Sequence, residues 1–73
     1  MNLSLFNELE RNMFNQLNLF NNILAVNTQF RNSIIEKEWT GVNLSIDKMN
    51  VLTQKINDLD LERDKILQEI YSN

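Results

Sequence analysis

Apolar residues return every seven positions through the second half of this chain, and that repeat limits the possible folds more than any other feature. Val42, Met49, Ile56 and Ile70 share one heptad position, and Leu52, Leu59 and Ile66 lie three residues further on. Of the nine consecutive a/d positions, only Ser45 and Arg63 are not apolar. Spacings of three and four keep side chains on one side of an α-helix, so the pattern predicts a helix from about residue 42 to about 71 that packs along a seam.

The first half carries a helical period too. At about 100° per residue, Phe6, Leu9, Met13, Leu17, Phe20 and Leu24 gather within about 60° of one line, and Ile34 and Ile35 continue it. This predicts a helix from about residue 3 to 38, with Asn2 or Ser4 as its N-cap. The chain has no proline, and its single glycine, Gly41, follows Glu36-Lys37-Glu38-Trp39-Thr40. A turn at about 39–41 is expected there, because glycine enters the left-handed region freely and a threonine can accept from an open N–H. Helices joined by so short a connection become antiparallel neighbours. The expected fold is therefore all-α: one domain over residues 1–73, an antiparallel, coiled-coil-like two-helix hairpin.

The first helix has more apolar surface than that hairpin requires. Leu5, Leu19, Ile23, Val26 and Phe30 lie roughly 100–160° from the Phe6 line, whereas one packed neighbour covers a stripe of about 100° or slightly more. With the Phe6 line assigned to the hairpin seam, this second set is left for another chain. A core of about 70 residues rarely supplies more than a few kcal/mol by itself, which also favours completing a helical bundle by oligomerisation. Leu19, Ile23, Val26 and Phe30 are the expected protein-binding residues. Trp39 joins them as an exposed anchor or, in the other reading, closes the hairpin end. The expected partners are protein helices, from a second copy or from a different protein.

Several function classes are excluded by composition. The chain contains no cysteine and no histidine, which removes disulfides, zinc fingers, thiol nucleophiles and histidine bases. The acids from Asp58 to Asp64 would point around most of a helical cylinder instead of converging on a metal. No enzyme activity, cofactor or metal is expected. A net charge of −3 offers no basic footprint for nucleic acid. The longest uninterrupted apolar stretch is Ile23-Leu24-Ala25-Val26, far short of the roughly 18 residues of a membrane span. The first ten residues lack the basic region of a secretory signal, so a cytoplasmic location is expected.

Individual residues refine this picture. Arg63 at a seam position is expected to lay its stem over the core and to send its guanidinium to solvent or an acid. Asn27 is expected to interrupt the first helix's seam and set register, Met13 and Met49 to fill core, and Tyr71 to pack at the terminus with its hydroxyl in water.

Leu52, Lys55, Ile56, Leu59, Asp60, Arg63, Ile66 and Leu67, after a long leucine-rich helix and a short turn, resemble the Leu…Lys…Leu…Leu-Glu…Arg…Leu-Leu run of the FlgN family of flagellar export chaperones. The resemblance covers about residues 5–70 and corresponds to that family's N-terminal half. It implies a cytoplasmic chaperone or adaptor for flagellar (type III) secretion that grips the terminal amphipathic helices of hook-associated substrates. A homo-oligomeric coiled-coil scaffold without a client is the alternative.

Overall fold

A computed structural model describes residues 3–72 of the protein. Two helices account for nearly all of them: Leu3–Ile35 (α1) and Trp39–Ser72 (α2). At 1.5 Å per residue each helix is about 50 Å long. The molecule measures 55 × 14 × 11 Å, so the helices must lie side by side and run in opposite directions. The fold is an all-α hairpin, as the repeats predict.

The turn is placed differently. It occupies residues 36–38, not 39–41, and the residue with positive φ is Lys37 (φ 57°), not Gly41. The Glu38 N–H donates to the Ser33 carbonyl at 2.8 Å, and the Lys37 N–H donates to Ile34 at 3.1 Å. This pair of bonds is the Schellman closure of a helix C-terminus, with Lys37 in the slot usually given to glycine. The Val42 N–H then donates to the Glu38 carbonyl at 3.0 Å and starts α2 immediately. Thr40 and Gly41 consequently lie inside the second helix. Ser4 lies within α1 instead of ahead of it, and Asn2, the other N-cap candidate, is outside the described residues.

Heptad register agrees with the position of the turn. Ser33 and Val42 stand equally far along the chain from the Lys37–Glu38 bond. The same holds for Phe30 and Ser45, Val26 and Met49, Ile23 and Leu52, and so on out to Leu5 and Ile70. Antiparallel helices folded at that bond bring these residues to matching levels, one layer per half-heptad. Burial follows the layers: Leu5, Val26, Ser45 and Ile66 are buried, while Leu9, Leu19, Ile23, Phe30, Met49, Leu52, Ile56 and Leu59 are half-buried. The seam expected of the second helix is therefore the observed one. Ser45 breaks the apolar run at the level of Phe30, where a small residue leaves room for a ring.

For α1 the two faces are exchanged relative to the sequence expectation. The set Leu5, Leu19, Ile23, Val26 and Phe30, expected to point outward, forms the seam with α2. The Phe6 line, expected inside, is exposed apart from half-buried Leu9. Met13 moves outward with it, and Asn27 is exposed and no longer a seam residue.

The buried polar residues of the α1 seam are Asn12 and Gln16. Asn12 is 1 % exposed. Its Nδ2 donates to the Leu59 carbonyl at 2.9 Å, and Gln16 Nε2 donates to Asn12 Oδ1 at 2.8 Å. A carbonyl points along its helix toward the residue four positions on, so this bond confirms that Asn12 lies level with Arg63. Gly41 has a separate use. A Cβ built on it would sit 2.5 Å from Ser33 Oγ and 3.2 Å from Ser33 Cβ, so the missing side chain lets the helices meet closely beside the turn.

Candidate protein-interaction face

The hairpin covers itself incompletely. Its accessible surface is 5715 Å², against about 4,700 Å² for a compact monomer of this mass. Six exposed apolar residues lie together on one side of α1, while Phe14, Leu44, Val51 and Leu61 lie off it. On α1, Phe6, Met13, Phe20 and Ile34 occupy one heptad position, and Leu17 and Leu24 occupy the position half a heptad away. Each is one residue, or about 100°, from a seam residue. Together they form an outer stripe about 42 Å long beside the covered seam. Phe20 is 50 % exposed and Leu24 64 %.

This stripe borders one flank of the hairpin. On that side Asn27 and Phe30 of α1 and Ile46, Met49 and Asn50 of α2 line a shallow groove of about 190 Å³. Asn27 shares its heptad position with Phe6, Met13, Phe20 and Ile34, and Ile46 shares its own with Thr53, Asp60 and half-buried Leu67. The opposite flank bears Glu8, Asn15, Asn22 and Gln29 on α1 and Lys48, Lys55, Glu62 and Glu69 on α2. Near the turn its groove has an apolar floor of Ala25, Val26, Val51 and Leu52 between Asn22, Asp47 and Lys48. One flank thus carries a long, mostly apolar stripe broken by Glu10, Asn27 and Arg31, and the other a short patch framed by polar groups.

Of the five residues expected to bind a partner, Leu19, Ile23, Val26 and Phe30 are occupied with α2. Trp39 stands apart from them at the start of α2, 62 % exposed, and does not close the hairpin end. Tyr71 is also exposed. The outer stripe is the Phe6 line, which the sequence pattern predicts as the seam. What separates it from the observed seam is the turn itself: about the Lys37–Glu38 bond Leu5–Ser33 mirrors Val42–Ile70, whereas the Phe6 line has the same mirror relation about Glu38, half a residue further on.

Charge is sparse on the stripe. Glu10 and Arg31 fall at its Leu17/Leu24 heptad position, one toward each end, and both are exposed. Among the described residues neither makes an ion pair within the chain. Arg63, half-buried at its seam level, sends its guanidinium to Asp60 at 3.6 Å and Asp64 at 3.9 Å, which fits a stem laid over the seam with its head in the wet rim. Among the described residues no three acidic, cysteine or histidine side chains gather in a metal-holding cluster, and no helix is long and apolar enough to cross a membrane.

Fold and face together define a class: a two-helix hairpin whose first helix is apolar on two adjacent sides, one used internally and one not. No protein-family model, curated protein or solved structure matches the chain.

Proposed function

We propose that this hairpin is a helix-binding interaction module whose binding surface is the outer stripe of α1. The observation that carries this is the row Phe6, Met13, Leu17, Phe20 and Leu24, exposed over about five helical turns. Apolar patches of that extent on small monomers mark interaction sites. A narrow stripe flanked by a second helix suits the apolar face of an amphipathic helix laid alongside it. The mechanism is burial, with no bond made or broken, and the acids of α2 keep the free protein soluble and disfavour acidic partners.

The specific setting rests on the resemblance of the Leu52–Leu67 run to FlgN-type chaperones. In that setting the protein is a cytoplasmic export chaperone or adaptor, and the stripe holds the terminal helix of a type III secretion substrate. Titrating the chain with such a helix should give a stoichiometric complex that Leu17→Asp abolishes while helix content is retained. Equal binding by wild type and Leu17→Asp would remove the stripe from the reading, and no binding by any export-substrate helix would remove the chaperone setting. A homo-oligomeric scaffold without a client is the second reading, favoured by the opposite charges at the two ends of the stripe.

A further inference from the structure

We infer that the helix that fits the outer stripe is α1 of a second copy, running antiparallel, so that two hairpins close into a four-helix bundle about a two-fold axis between Asn18 and Leu19. The inference rests on the helix-binding reading above and names the occupant of that same surface.

The first argument is the order of residues along the stripe. Its apolar centre is Met13, Leu17, Phe20 and Leu24, with Glu10 before it and Arg31 after it. About the proposed axis Leu17 lies level with Phe20 of the other copy and Met13 with its Leu24. Glu10 then comes within about one helical turn of the other copy's Arg31 at both ends of the interface. A parallel pairing would set Glu10 against Glu10 and Arg31 against Arg31.

Whole-molecule charge is the second argument. The open half of the hairpin, residues 1–18 and 57–73, holds seven acids and three bases, a net −4. The turn half, residues 19–56, holds three acids and four bases, a net +1. Antiparallel stacking sets each open half beside a turn half, whereas parallel stacking sets −4 beside −4. Like charges brought together in this way disfavour an orientation without any steric clash.

Area is the third. Each hairpin exposes about 1,000 Å² more than a compact protein of its mass, so giving up the roughly 800 Å² per partner of a standard interface still leaves it with as much surface as a compact monomer. A two-fold pairing through one stripe is self-complementary and closed, so it ends at the dimer. In the chaperone setting, the second copy is the occupant that a client helix displaces.

The test uses the full chain. Light scattering and sedimentation equilibrium over a wide concentration series should show a reversible dimer that Phe20→Asp converts to a helical monomer. Glu10→Arg and Arg31→Glu should each raise the dimer Kd by about tenfold, and the two together should return it to within about twofold of wild type. The chain has no cysteine, so Asn7→Cys and Asn21→Cys each take a single spin label. In the dimer the two labels at residue 7 should be separated by about 35 Å along the axis and those at residue 21 by under about 10 Å. A monomer at every concentration, residue-7 labels as close as residue-21 labels, or a dimer indifferent to Phe20→Asp would each overturn the inference. The helix-binding reading fails on a different result, namely added helices that bind Leu17→Asp as well as wild type.

Discussion

Leu19 and Phe20 are neighbours on one helix with opposite roles. Leu19 belongs to a row that ends in Ser33 and is covered by α2, while Phe20 belongs to a row that ends in Ile34 and faces outward. The outer row has the larger side chains, three of them aromatic or sulfur-containing at Phe6, Met13 and Phe20, yet it is not the one that folds inward. Polar content differs between the two. The seam's interruptions, Asn12, Gln16 and Ser33, are all neutral, and Asn12 and Gln16 satisfy one another and the Leu59 carbonyl. The outer row's interruptions include Glu10 and Arg31, and ions cost far more to bury unpaired than hydrogen-bonded amides do. A hairpin therefore hides the stripe whose polar groups it can satisfy internally and leaves outside the one whose charges need a counterpart from elsewhere.

The comparison is broken most decisively by placing the same charge on each row. Val26→Asp, at a site 8 % exposed, should cost about 3–5 kcal/mol, because an unpaired carboxylate would be trapped between the helices. In so small a core that loss should appear as missing helical circular dichroism at room temperature. Leu24→Asp, two residues away on the outer row, should change monomer stability by less than about 1 kcal/mol. Equal losses in the two variants would show that the rows are not distinguished as described.

A smaller effect probes the polar layer. Asn12→Ala removes the acceptor for Gln16 and the donor to Leu59, and should lower stability by about 2 kcal/mol in a denaturant titration. Replacing Asn12 and Gln16 together by leucine should recover that loss or exceed it, since both partners of the buried bond go at once. A double variant as unstable as Asn12→Ala would mean that packing volume, not hydrogen bonding, sets the cost at this level.

The smallest expected effects lie at the turn, which aligns the two rows with α2. Lys37→Gly should raise the melting midpoint, by about 1 kcal/mol in stability, because glycine occupies the left-handed region without the penalty of a Cβ. Gly41→Ala gains up to about 1 kcal/mol of helix propensity but meets Ser33, so its net change should be smaller than that of the same substitution in a Ser33→Ala background. A loss of several kcal/mol from Gly41→Ala would show that the close approach at Ser33 outweighs the gain in helix propensity.

Much of this architecture is carried by local periodicity and could be read without coordinates. The heptads from Val42 to Ile70, the absence of proline and the doubly apolar first helix lead to a hairpin with one surplus face, because side-chain direction in a helix depends only on spacing along the chain. Arg63's departure from the apolar pattern was legible for the same reason, since a long stem on a seam has few places to go. The glycine misled, because its conformational freedom is a local property and the location of the turn was not decided locally.

By itself the sequence determined that there are two helices, which face of the second is covered, and that the first has two apolar rows competing for that cover. Only the tertiary structure decided which row wins, that the chain reverses at Lys37, and that Gly41 serves close packing instead of the turn. The physical reason is that those choices depend on matching layers across two helices and on whether a buried amide meets a carbonyl of the other helix. Such a match is a property of the pair, and no periodicity within either helix contains it.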